Sequence, residues 1–85
     1  MRYNYDRRAA NPIKFDSNLK GVKITWNGGK LHTVDGVELD LPKGEPMVLT
    51  GQHRWLYSGR GDEYIATRKN GDEVWVDGTR LKKVP

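Results

Sequence analysis

The last sixteen residues, Asn70-Gly-Asp-Glu-Val-Trp-Val-Asp-Gly-Thr-Arg-Leu-Lys-Lys-Val-Pro85, decide the fold class of this chain. Asn70-Gly71 and Asp77-Gly78 are residue pairs that accept positive φ at little cost, so each suits a tight turn. The residues between these pairs alternate in the way expected of a strand with one buried face. We therefore predict a hairpin in which residues 63–69 pair with residues 73–77, followed by a last short strand at 80–84.

The alternation of residues 73–77 predicts which face of this strand meets the core. Val74 and Val76 share one face of the strand and are expected in the core. Trp75 points to the other face and is expected to be partly covered.

Upstream, from Lys20-Gly21 onward, short alternating segments are separated by turn signals at the spacing of an all-β protein. Asn27-Gly28-Gly29 and Asp35-Gly36 are predicted to turn the chain twice and form a three-stranded meander. The stretch Leu41-Pro-Lys-Gly-Glu-Pro46 is expected to break the ladder, because a proline cannot donate a ladder hydrogen bond. Two further strands are predicted at 47–50 and 54–57.

The second half of the chain resembles bacterial-type Src-homology-3 (SH3) barrels. The resemblance rests on Leu41-Pro-Lys-Gly-Glu-Pro-Met-Val-Leu49, on Trp55-Leu-Tyr57 and on the residues from Asn70 to Val84. It covers about half of the sequence, and Met1 to Gly36 departs from the pattern. It implies a small barrel of five or six short antiparallel strands that binds peptides, cell-wall glycans or nucleic acid, and it implies no enzyme.

Chain length limits the molecule to one domain, because 85 residues bury only about 60% of their unfolded surface. Met1 to Pro12 lacks apolar periodicity and ends at Asn11-Pro12, so we expect a flexible basic arm over residues 1–12. The barrel is expected over residues 13–85, with Ile13 and Phe15 as the first side chains that touch the core.

The composition also predicts the cellular location. No stretch approaches the ~20 apolar residues of a membrane span, and the N-terminus lacks the apolar region of a signal peptide. The chain contains no cysteine, whereas small secreted domains usually depend on disulfides. We therefore expect a cytoplasmic protein that does not associate with membranes.

The net charge of +4 is distributed unevenly along the chain. Met1 to Lys30 carries seven basic and two acidic residues, and the central part to His53 carries one and four. A basic segment interleaved with tyrosines can contact phosphates and stack on bases. The leading hypothesis is thus nucleic-acid binding, and a solvated tail that serves solubility is the alternative. The residues expected to bind nucleic acid are Arg2, Tyr3, Tyr5, Arg7, Arg8, Lys14, Lys20 and Lys23.

A second patch of basic and aromatic residues follows His53 and suggests a protein partner. The residues expected to bind that partner are Arg54, Trp55, Tyr57 and Arg60. In so small a core, Trp55 and Tyr57 are expected to fill the interior, whereas a buried Leu56 would leave both rings on the surface. This second hypothesis is a protein-interaction module, such as an accessory or inhibitory factor of a phage or mobile element. A third is an edge-paired homodimer, with a monomer as its alternative.

Catalytic signatures are missing from the sequence. His32 and His53 are the only histidines, no cysteine nucleophile exists, and the spacing of the histidines does not match a metal site. We expect no catalytic residue, no cofactor, no metal and no small-molecule substrate. Arg60-Gly-Asp62 spells an adhesion tripeptide, but so short a match is readily accidental, and we interpret it as an ordinary loop.

Overall fold

The computed structural model describes residues 12–55 and 62–85, which form six antiparallel strands of one sheet. The strands are β1 (Lys14–Phe15), β2 (Lys23–Thr33), β3 (Glu38–Trp55), β4 (Asp62–Arg68), β5 (Glu73–Asp77) and β6 (Leu81–Lys83), with one 3-10 turn at Gly78–Arg80. Their order is β1-β3-β4-β5-β2-β6, and β2 also pairs with β3. The prediction of an all-β fold is confirmed for this part of the chain.

The C-terminal hairpin forms as the sequence predicts. Ala66 pairs with Val74 across β4 and β5, and the amide of Gly71 donates to the carbonyl of Arg68 at 2.9 Å. The Asn70 side chain accepts from the amide of Asp72 at 3.0 Å, which stabilises the tight turn. The Asn70 side chain in the turn and the alternating residues of β5 lie within a few residues of each other. A short stretch of sequence therefore determines this hairpin.

Of the two turns in the predicted meander, the turn at Asp35-Gly36 is confirmed, since the amide of Gly36 donates to the carbonyl of Thr33 at 2.9 Å between β2 and β3. The turn at Asn27-Gly28-Gly29 is wrong, because β2 runs through these residues without interruption. The register between β2 and β3 shifts between Thr25 and Asn27, where Asn27 lies opposite Lys43. Gly28 has a φ of 90°, and a Cβ there would lie 3.3 Å from the Lys43 amide nitrogen. These glycines therefore bend a continuous strand against its neighbour and do not reverse the chain.

β3 also differs from its prediction, since its eighteen residues include the segment expected to break the ladder. Pro46 lies opposite Thr25 within the β2–β3 pairing. The two strands predicted at 47–50 and 54–57 belong to β3 as far as Trp55, with a register shift between Leu49 and His53. A proline is tolerated at such irregular positions because no regular ladder bond is required of its nitrogen.

β1 covers the edge of β3 without entering the core. Phe15 lies opposite Gln52, and a Cβ on Gly51 would come within 2.6 Å of the Phe15 ring. Ile13 is 50% and Phe15 59% exposed, so the expectation that they touch the core is wrong. Gly51, with a φ of 98°, leaves the space on which the Phe15 ring packs.

The core is small and consists of side chains from β2 to β5. Among the described residues, its largest fully buried side chain is that of Trp26, which is 1% exposed. Val74 and Val76 are fully buried, as predicted, and Trp75 is 6% exposed, more deeply covered than predicted. The core cluster comprises Ile24, Trp26, Leu31, Leu41, Met47, Leu49, Ala66, Val74 and Val76.

In residues 12–55 and 62–85, no helix has the length and apolar character needed to cross a bilayer.

Candidate binding surfaces

Arg54, predicted to contact a partner, lies inside the molecule. Its residue is 3% exposed and its guanidinium stands 3.7 Å from the centre of the Trp75 ring. Nη2 and Nε of Arg54 donate to one carboxylate oxygen of Glu63, at 2.6 and 2.9 Å. The sheet register makes Glu63 the cross-strand neighbour of Arg54, so the two charged side chains lie next to each other. Arg54 thus covers Trp75 and cannot serve as an exposed contact.

Trp55 lies on the surface and is 49% exposed, so the expectation that its ring fills the interior is wrong. Strand alternation explains this, since a buried Arg54 sends the next side chain to the opposite face. Tyr57 and Arg60, the other two residues of the predicted patch, lie outside the described residues, as does Leu56. Their predicted role in partner binding stays a prediction.

The exposed Trp55 ring stands at the end of a short polar and aromatic row. His53 Nδ1 lies 2.8 Å from Asp62 Oδ2, and the His53 ring is 6.0 Å from that of Tyr64. Burial raises the pKa of the Tyr64 hydroxyl, and the negative charges of Asp62 and Asp16 raise this pKa further. Asp62, the aspartate of the Arg-Gly-Asp triplet, thus lies in β4 and its carboxylate contacts His53.

The residues predicted to bind nucleic acid do not form one cluster in the described part of the chain. Lys14 lies opposite His53 on β1, and Lys23 lies opposite Val48 on β2. These positions are roughly 15 Å apart along β3. Lys20 occupies the turn between β1 and β2, and all three lysines are exposed. Arg2, Tyr3, Tyr5, Arg7 and Arg8 lie outside the described residues.

Three other cations, which the sequence analysis did not single out, surround one cavity of about 430 Å³. Lys43 comes from the bend of β3, Arg80 from the end of the 3-10 turn and Lys82 from β6. We call it the basic cavity, since the described residues that line it include no carboxylate. Among the described residues, none of the three cations takes part in a salt bridge.

Arg80 is fixed at the rim of the basic cavity by its own contacts. Nη2 of Arg80 donates to the carbonyl of Gly28, and its guanidinium lies 5.6 Å from the centre of the Trp26 ring. Asp77 caps the 3-10 turn that ends at Arg80, because its carboxylate accepts a hydrogen bond from the Thr79 amide at 2.9 Å. The basic run at residues 80–83 was visible in the sequence, but nothing there indicated that Lys43 would join it.

A second, apolar groove of about 640 Å³ crosses β2, β3 and β4. Val48 and Val84 are exposed apolar side chains of this groove, at 39% and 45%. We call it the apolar groove, and its lining consists of Lys23, Ile24, Pro46, Met47, Val48, Thr67, Arg68, Lys69 and Val84.

A third cavity, of about 320 Å³, contains both signs of charge. His32 and Trp75 line it, with Glu63 and Asp77 as the acidic groups and Arg80 among the basic ones. Glu63 is engaged by Arg54, so its carboxylate already has a cationic partner. In the described part of the chain, no three histidine or carboxylate side chains are grouped to hold a metal ion.

Comparisons with known proteins found no matching family model, no matching curated protein and no matching solved structure.

Proposed function

We propose that this chain is a non-enzymatic, cytoplasmic binding module that associates with nucleic acid through a basic surface. The observation that carries the proposal is the basic cavity, where Lys43, Arg80 and Lys82 converge without a carboxylate. Phosphate binding draws on such clusters, because each neutralised phosphate releases condensed counterions. The hydrogen bond from Arg80 to Gly28 holds one of these cations in place before a ligand arrives.

The basic arm predicted over residues 1–12 extends the same proposal. Residues 12–55 and 62–85 contain eleven Lys and Arg against ten Asp and Glu, so most of the net charge of +4 belongs to the rest of the chain. Arg2, Arg7 and Arg8 would add phosphate contacts, and Tyr3 and Tyr5 would add stacking. The arm and the basic cavity would together make a discontinuous surface for a phosphate backbone.

The finer fold assignment is also a proposal, namely an SH3-like barrel. It is supported by the pairing of β2 with β3 along most of its length and with β5 near its end. The β4–β5 hairpin and the final pairing of β6 with β2 are compatible with the same arrangement. Such a small scaffold presents binding residues on its outer surface, since its interior is filled by side chains.

Replacing Lys43 and Lys82 together by glutamine should weaken binding to single-stranded and duplex oligonucleotides without regard to sequence. We expect the slope of log affinity against log salt to fall by about one per lysine. Fluorescence anisotropy between about 50 and 200 mM salt measures this slope. Deleting residues 1–11 should remove most of the remaining affinity.

The matched control is Lys30→Gln, which removes the same charge from a lysine that pairs with Glu38 at 3.7 Å. We expect its salt slope to equal that of the unmodified protein, because Lys30 does not line the basic cavity. An unchanged slope in the Lys43 and Lys82 double variant would contradict the role of the basic cavity. Unchanged affinity after removal of residues 1–11 would contradict the role of the arm.

A second candidate function, a protein-interaction module, is favoured by the exposed Trp55 ring. Half-exposed tryptophans are common anchors of protein interfaces, where a few large side chains supply most of the affinity. Trp55→Ala should abolish capture of a protein partner, with a loss of at least about 2 kcal/mol in binding free energy. Pull-downs with the unmodified chain and with the Trp55→Ala variant as baits measure this loss. An equal yield of the partner from both baits would contradict this candidate.

A further inference from the structure

The apolar groove carries charge of one sign around an apolar surface. Lys23, Val48 and Thr67 form one row across the sheet, since Val48 is the register partner of both neighbours. Directly opposed side chains in such a row lie about 5 Å apart. The amide of Val84 donates to the carbonyl of Lys23 at 2.9 Å, which places the Val84 side chain beside the same row. In this row Lys23 therefore lies between Val84 and Val48, with an exposed valine on either side of the lysine.

Arg68 and Lys69 line the groove from the end of β4 and the turn after it, and the described residues of the lining include no carboxylate. Arg68 is neutralised by Glu45 at 2.6 Å and by Asp72 at 3.5 Å. Within the described residues, neither Lys23 nor Lys69 takes part in a salt bridge. Two ammonium groups that form no salt bridge with a described residue thus lie beside exposed valines, and a ligand that complements both features is apolar and anionic.

We propose that this groove binds an extended segment of a partner protein that carries apolar and acidic side chains on one face. Every second side chain of an extended peptide points to the same face, so apolar groups at some of these positions can meet Val48 and Val84. Carboxylates at the other positions of that face then point toward Lys23 and Lys69, which line the groove. This site is separate from the basic cavity and does not depend on the proposed binding of nucleic acid.

Two other occupants fit the groove less well. The described residues of its lining include no aromatic side chain, so they offer no ring on which a base could stack. The first eleven residues of the chain carry three arginines against one aspartate, a net charge of the same sign as Lys23 and Lys69. Like charges disfavour that contact, whereas an acidic segment gains from both charge and apolar burial.

The test titrates the 15N-labelled full chain with two synthetic octapeptides. In both peptides every second residue is serine. The four residues between the serines alternate leucine with glutamate in one peptide and leucine with lysine in the other, so that leucine and the charged residue share one face. We expect saturable shifts of the Val48, Thr67 and Val84 amides with the acidic peptide at concentrations below about 1 mM, and none with the basic one. The absence of these shifts with the acidic peptide overturns the proposal.

Variants locate the binding site. Val48→Glu should weaken the acidic peptide at least tenfold, because it adds a carboxylate to the apolar groove. Val37→Glu is the matched control, since Val37 is 57% exposed and lies in the β2–β3 turn outside the groove. Lys23→Glu with Lys69→Glu should reverse the preference toward the basic peptide, and the melting temperature of each variant verifies its fold.

Results that overturn the inference are distinct from those that bear on nucleic acid. Equal binding of the acidic peptide by the Val48→Glu variant excludes the groove as its site. An oligothymidine that binds the unmodified chain and is lost with Val48→Glu would assign the groove to single-stranded nucleic acid and overturn the peptide proposal. If oligonucleotide binding is lost in the Lys43 and Lys82 double variant but not in the Val48→Glu variant, nucleic acid binds at the basic cavity and not in the apolar groove.

Discussion

Replacing Arg54 by alanine is expected to lower the free energy of unfolding by about 3 to 5 kcal/mol, the range found when one partner of a buried ion pair is removed. The substitution takes away the group that covers Trp75 at 3.7 Å. It also leaves the carboxylate of Glu63 without its two hydrogen bonds from Arg54. A domain of this size has a total stability of only about 4 to 13 kcal/mol, so the loss is a large share of it.

Urea unfolding followed by tryptophan fluorescence measures the change, with Arg68→Ala as the matched control. Arg68 is likewise paired, with the carboxylates of Glu45 and Asp72, but its side chain is 21% exposed compared with 3% for Arg54. We expect Arg68→Ala to cost about 1 kcal/mol, because solvent screens the pair. A cost for Arg54→Ala equal to that of the control would contradict the assignment of a structural role to Arg54.

Trp26→Ala is expected to cost about 3 to 5 kcal/mol and to bring the domain close to unfolding. Trp26 is 1% exposed at the centre of the core cluster, and its indole nitrogen donates to the carbonyl of Gly29 at 3.2 Å. Truncation opens a cavity and removes that hydrogen bond. It also removes the ring beside the Arg80 guanidinium, so the basic cavity would lose its fixed cation as well.

Trp55→Ala removes the same side chain from the surface and is the natural control for this measurement. With 49% of Trp55 exposed, we expect its removal to change the free energy of unfolding by less than about 1 kcal/mol. Denaturant unfolding and near-ultraviolet circular dichroism compare the two variants directly. Similar losses at both positions would show that Trp55 supports the core and would remove the basis for a binding surface there.

The C-terminal hairpin was predictable because its determinants are local. Asn70 and Gly71 stabilise the turn, and Val74 and Val76 repeat at the period of a strand within a few residues of it. The glycines of the first half were ambiguous, since positive φ serves a turn and a bend equally well. The chain bends at Gly28 because the backbone of Lys43 packs against it, and Lys43 lies far from Gly28 in the sequence.

The candidate sites were predictable only in part. Arg80 and Lys82 were not singled out from the sequence, and their convergence with Lys43 depends on the paired bends of β2 and β3. The patch around Trp55 was found from its composition, while the inward direction of Arg54 depended on Glu63 and Trp75. Side-chain direction in a strand is set by register, and a register shift in β3 lies just before this patch.

By itself, the sequence determined that this chain is an all-β protein with a hairpin at Asn70-Gly71, because turn preference and strand alternation act over a few residues. Only the tertiary structure decided that Trp26 and Trp75 are buried while Trp55 is exposed. It also decided that distant cations meet in one cavity and that valines and lysines share one groove. The physical reason is that burial and charge proximity depend on cross-strand neighbours, which are chosen by pairing between segments far apart in the chain.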